Sequence, residues 1–143
     1  MAKSTGLAIT TLSVGDSSNA TQDIRNDITN FQFTSPRGVQ DVTGIDKSAI
    51  ERLLLLADFS IQLNGVFNPA ANLSHAVFST VPSTSVNRVV SITMNGKNFN
   101  QGSAGAGNGA VLFTDYQIVR PASGELTWQA PGVLANGAVP TWS

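Results

Sequence analysis

Cysteine is absent from this 143-residue chain, so neither a disulfide framework nor thiolate chemistry is open to it. Charge is scarce as well. Asp, Glu, Lys and Arg make up 12% of the residues, about half the ~25% of an average globular chain. Eight basic and nine acidic residues leave a net charge of −1 with no basic run, which argues against nucleic-acid binding driven by phosphate contacts. His75 is the only histidine. No stretch approaches the roughly 20 apolar residues of a membrane helix, so no membrane partner is expected. The opening residues, MAKSTGLAITT, lack the apolar core of a signal peptide, and synthesis in a cytoplasm is the expectation. Asn19 and Asn72 head N-x-S/T triplets, which carry little weight without such a signal.

Ser, Thr, Asn and Gln fill the place of the missing charge. A soluble monomer normally covers itself with Lys, Glu, Arg and Asp. A chain that does not is a candidate to hide surface against further copies of itself, although secreted β-proteins share the composition. The length suits one domain with a substantial core.

Most of the chain reads as strands. Residues 7–14 are β-rich and end at the turn cluster GDSSN. Residues 23–35 form a second strand region, whose apolar parity switches between Ile28 and Phe31 and so predicts a bulge. Residues 43–59 read as the one helix, N-capped by Asp46 or Thr43, with Ile50, Leu53, Leu54 and Ala57 on one apolar face at i, i+3, i+4 and i+7. That face reads as core rather than interface. The next segment alternates cleanly: Phe59, Ile61, Leu63 and Phe67 share one face, with Gly65 in phase. Asp58, Ser60, Gln62 and Asn64 share the other. Residues 69–85 read as a long connection. Residues 86–96 form a strand with Val90, Ile92 and Met94 on one face and Ser91 and Thr93 on the other. Residues 110–119 and the stretch around Leu126 and Trp128 are further strands. The fold class is mainly β (α+β): a sandwich or barrel-like sheet structure with one flanking helix.

Catalytic constellations are missing. His75 has no acid beside it in sequence. The acids are scattered; Asp23 and Asp27 lack the spacing of a calcium loop, and Asp115 with Glu125 lacks an aromatic-lined cleft. No catalytic, cofactor or metal residue is assigned, and the expectation is a protein that is not an enzyme. The stretch QGSAGAGNGA (101–110) does match G-x-G-x-x-G/A spacing. A dinucleotide fingerprint needs its glycines to open a helix. Here VLFTDYQIV follows, β-branched and aromatic. A domain linker fails too, since too few residues follow for a second domain. A long, flexible hairpin loop remains.

The segments DVTGIDKSAIERLLLLADFSIQLNGVFN, PSTSVNRVVSITMNGK, VLFTDYQIVR and GELTWQAPGVLANGAVPTWS, in that order, resemble the tail tube (major tail) proteins of long, flexible-tailed, siphovirus-like bacteriophages, especially those of actinobacterial hosts. The resemblance implies a single tail tube domain over 1–143, with a flexible N-terminus (1–6), a Gly/Ala-rich insertion (98–109) and a C-terminal tail (130–143). It implies a virion structural protein whose six copies form a ring, sheets joined edge to edge into a barrel around a channel. Stacked rings would make the tube, DNA would pass through it in transit, and tape-measure, tail-terminator and tail-tip proteins would be partners. A channel wall must not grip phosphates, so the uncharged Ser60, Gln62, Asn64, Ser91 and Thr93, with the repelling Asp58, are the expected lining. An outer solvent-facing sheet is the alternative for the same residues. Residues 69–85, the N-terminus and the apolar tail are expected at subunit and ring contacts. Rival readings are a tail-terminator or head–tail connector subunit, and a carbohydrate-binding sandwich that would need aromatics such as Phe113, Tyr116 and Trp128 lined up on one face.

Overall fold

The computed structural model describes residues 4–143; part of the expected flexible N-terminus (1–6) lies outside them. Twelve strands and one short helix follow in order: β1 (Ile9–Gly15), β2 (Thr21–Asp23), β3 (Ile28–Thr34), β4 (Arg37–Asp41), β5 (Arg52–Ala57), β6 (Ser60–Val66), α1 (Ser74–Phe78), β7 (Val90–Met94), β8 (Lys97–Gln101), β9 (Val111–Phe113), β10 (Gln117–Val119), β11 (Thr127–Leu134) and β12 (Thr141–Trp142). Short 3-10 turns precede β1 (Gly6–Ala8) and β3 (Arg25–Asp27). Three antiparallel sheets result, one of them the two-stranded pair β4-β5. Sheet 1 has the order β12-β8-β7-β1-β2. Sheet 2 has the order β10-β11-β6-β3, with β9 also on β11.

The period-two alternation read from the sequence is what packs these sheets. Leu12 and Val14 of β1, Val90 and Ile92 of β7 and Phe99 of β8 meet Ile61 and Leu63 of β6 and Trp128 and Ala130 of β11 in one buried cluster. Glycine is required at position 65: a Cβ there would strike the Asp27 carbonyl and the Trp128 ring. The expected bulge in β3 is present, where its register against β6 shifts between Ile28 and Asn30. Asn95 and Gly96, both at positive φ, turn β7 into β8 as a tight two-residue hairpin loop.

The expected helix over 43–59 does not form. Its second half builds β5, which pairs with β4 from just before the segment as a two-stranded arm whose apolar side chains are exposed: Ile50, Leu53 and Leu54 lie open to solvent and Ala57 is half-buried. Four leucines in a row satisfy a helical and an extended period equally. The decision falls to backbone pairing. Val42 donates to the Glu51 carbonyl, and the Thr43 hydroxyl accepts from the Glu51 N–H at 2.9 Å, so the intended helix cap closes a hairpin instead. The helix that exists, α1, lies in the expected long connection. It is held by a side chain distant in sequence: buried Asp27 accepts from the Ser74 N–H at 3.0 Å and from Asn68 at 2.9 Å.

Candidate functional site

The alternation of β6 places Ser60, Gln62 and Asn64 together on the outward face of sheet 2. Their cross-strand neighbours continue the face. Thr34, Gln32 and Asn30 stand opposite them on β3, and Val133, Pro131 and Gln129 opposite them on β11. No charged side chain sits among these positions. Asp58 caps the start of β6, accepting from the Phe59 N–H.

Ser91 and Thr93 are on the outward face of sheet 1, where they donate to Asn100 (2.8 Å) and Asn98 (2.7 Å). The inward faces of both sheets share one core, so the two outward faces look in opposite directions. The six residues expected on one surface are therefore divided. Sequence alternation tells which residues share a strand face but not which strands share a sheet.

The glycine stretch also departs from expectation. β8 occupies the first part of the expected insertion and puts Phe99 in the core and Gln101 at full burial. The remainder is a tied loop. Gly102 bridges to Gly109, and buried Asn19 holds the loop from the β1–β2 turn. The Asn19 amide donates to the carbonyls of Ser103 (2.9 Å) and Gly105 (2.8 Å), and its oxygen accepts from the Val89 N–H at 2.7 Å. Asn19 itself sits at φ 57, a left-handed conformation that asparagine tolerates. Asn19→Ala is expected to cost about 2–4 kcal/mol, because it strands a buried N–H and strains the backbone. Urea unfolding measures the loss, and hydrogen exchange at residues 103–108 should rise with it. Asn19→Gly should recover only the backbone share.

Chemical-site readings do not assemble. The His75 ring nitrogen meets the Tyr116 hydroxyl at 3.2 Å, and its ring packs on Phe67. Asp27 holds the Ser74 backbone and not the imidazole, so no Ser-His-Asp relay exists there. Glu125 is occupied by the Ser123 hydroxyl. Among the described residues no group of three or more His, Asp or Glu gathers as a metal site. Trp128 is fully buried, with Phe78 and Tyr116 against it, so it offers no sugar platform.

No protein-family model matches the chain, and no curated protein matches it. Solved structures do. The chain superimposes on a chain in the virion of a native gene transfer agent particle with a TM-score of 0.69 and 14% identity, covering 99% of both chains. It superimposes on a chain in the tail of an empty gene transfer agent particle, a tail of C6 symmetry, with a TM-score of 0.71 and 17% identity, again over 99% of both. The fold is that of a gene transfer agent tail chain. At this identity the likeness is one of fold, and it extends end to end.

Two surface features of this fold were not read from the sequence. One is the leucine arm: Leu54 is 60% and Leu56 90% exposed, with Val39 open on the opposite strand. The other is the pair of bare edges of sheet 2, β3 at one side and β10 at the other. The first had a signal, since an apolar run of four with no polar alternation is atypical of a helix that packs by one face. Trp142, half-exposed on β12, packs tilted against Phe33 and edge-on against Phe99 of its own domain.

Proposed function

We infer that the chain is a structural, non-enzymatic subunit of a phage-like tail tube, assembled as six-fold rings stacked around a channel. The observation that carries this reading is the end-to-end fold likeness to a chain of a C6-symmetric tail. Three features of the chain support it: unpaired sheet edges that ring closure would satisfy, an arm of exposed leucines suited to burial against another copy, and a charge-free polar sheet face. The virion is then its location, and DNA in transit, a tape-measure protein, a tail terminator and tip proteins its partners. The original resemblance to siphovirus-like tails of actinobacterial phages is consistent with this assignment.

The outward face of sheet 2 is the better channel wall. Ser60, Gln62 and Asn64 lie on sheet 2, which offers the seven-residue edge strand β3, whereas sheet 1 ends in β2 and β12 of three and two residues, and Asp58 stands at its rim. Ser91 and Thr93 then face outside. Replacing Gln62 and Asn64 together by lysine should leave tubes intact and lower DNA delivery by an order of magnitude or more, because lysines repeated round each ring would grip phosphates. Lysines at Ser91 and Thr93 should leave delivery unchanged. Equal loss from both pairs would reject the assignment of faces.

Negative-stain electron microscopy of the purified protein over a range of concentrations tests the function. Hollow tubes with six-fold end views are expected. A terminator or connector would give rings that never stack, and a persistent monomer would reject the reading.

A further inference from the structure

Residues 135–143 leave sheet 2 and finish on sheet 1. β11 ends at Leu134, whose N–H donates to the Phe59 carbonyl at 2.9 Å. The chain then crosses from one sheet to the other, tied at each step. The Ala135 N–H donates to the Ala110 carbonyl at 2.8 Å, and the Asn136 amide donates to the Gly109 carbonyl at 3.0 Å. Fully buried Gln101 donates its amide to the Ala138 carbonyl at 3.0 Å. β12 then lies along β8, with Thr141 opposite Asn100 and Trp142 opposite Phe99. Ser143 exchanges both backbone hydrogen bonds with Asn98, at 3.0 and 2.8 Å.

The strand under this segment is a hazard when bare. β8 reads KNFNQ. Its last four residues carry no charge and no proline, and they set amides around an aromatic ring, the composition of strands that stack into cross-β fibres. Without β12, β8 would be an edge of sheet 1 and would offer its N–H and C=O groups as a template. The other edge of sheet 1 is blunt already: β2 has three residues, ends on Asp23 and is followed closely by Arg25. The same segment covers an apolar seam. Phe33 of β3 and Phe99 of β8 meet at 4.7 Å where the two sheets come together, and the Trp142 ring lies 6.1 and 5.1 Å from them.

We propose that residues 135–143 are an intramolecular strap that guards the β8 edge. The strap stays on its own subunit, where β12 occupies the hydrogen-bonding groups of Asn98 and Asn100 and Trp142 shields the Phe33–Phe99 seam. Its opening turns a soluble subunit into one that aggregates through β8. This assigns the apolar tail, expected at subunit and ring contacts, to its own domain, and it holds whether or not the chain forms rings.

Two experiments test the strap. Asn100→Cys combined with Thr141→Cys places two thiols at facing positions in a chain that has no other cysteine. Cβ atoms of antiparallel partners lie about 4.5–5.5 Å apart, close enough for a disulfide after a small shift. Mild oxidation should close the bond within one chain at every protein concentration. Covalent dimers or a ladder would show the segment passing between copies and overturn the strap. The guard is tested by deleting residues 139–143. The shortened chain should aggregate at a concentration at least about tenfold lower than the full chain, with thioflavin T binding, as expected for one or two backbone groups left open on an edge. Asn100→Lys in the shortened chain should restore solubility, because a lysine on a bared edge blocks strand addition. A lysine at this position would not repair a lost fold. A shortened chain as soluble as the full one, or aggregation that Asn100→Lys leaves unchanged, would overturn the guard.

Discussion

Replacing Leu54 and Leu56 by asparagine is expected to abolish tube formation at concentrations where the wild-type chain assembles. Both side chains are open to water in the single subunit, on an arm that pairs with no other strand. Substitution there should change the stability of the free subunit by no more than about 0.5 kcal/mol. In an assembled tube the same leucines would be buried, each contributing about 1.5–3 kcal/mol. Losing both removes about 3–6 kcal/mol per contact, a shift of roughly 10²–10⁴ in the assembly concentration. Light scattering against concentration reads the shift, and circular dichroism melts of the dilute subunit check that the fold survives. Assembly at the wild-type concentration would show that the arm is not buried between copies.

The largest loss of subunit stability is expected at Arg88. This side chain is fully buried and touches no carboxylate. Its guanidinium donates to the carbonyls of Gly15 (3.1 Å) and Val77 (2.6 Å) and to the Thr80 hydroxyl (3.1 Å). It thereby ties the end of β1, α1 and the turn after α1 to one point. Burial pulls its pKa below the usual arginine range, and the Asp16 carboxylate works to hold it up. Arg88→Met fills part of the space but leaves two buried carbonyls and a part-buried hydroxyl without this donor, a loss of about 3–5 kcal/mol and a large share of the stability of a domain this size. The midpoint of urea unfolding measures it. Thr80→Ala, which removes one of the three partners, should cost about 1 kcal/mol. A loss at Arg88→Met no larger than that would mean the clamp is not what holds α1.

The strands around β1, β3, β6 and β7 were legible because each buries one face, and burial on one side writes itself as strict alternation. The bulge in β3 was legible for the same reason, as a break in parity. The short strands were not. β2, β8 and β12 have two to five residues, and they are strands because a neighbour offers hydrogen bonds, not because of their own pattern. The 43–59 segment failed in a more instructive way. Helical spacing of Ile50, Leu53, Leu54 and Ala57 is real, but it assumes that the face is buried within the subunit. None of these residues reaches the buried core of the subunit, so the rule linking apolar period to local structure had no core to act through. The glycine loop failed for a related reason. Gly and Ala allow many backbone states, and composition says nothing of Asn19, more than 80 residues away, whose amide selects one.

The sequence by itself determined the β class and the alternation of faces, since these depend on residue type and local order. It also carried the low charge that points to surface shared between copies. Only the tertiary structure decided that Gln62 and Ser91 look away from each other, that the leucines stand on an exposed arm, and that residues 135–143 cross from one sheet to the other. Those are relations between strands distant in the chain. They arise from which edges pair and which faces meet in the core, and a linear pattern of polar and apolar residues does not encode them.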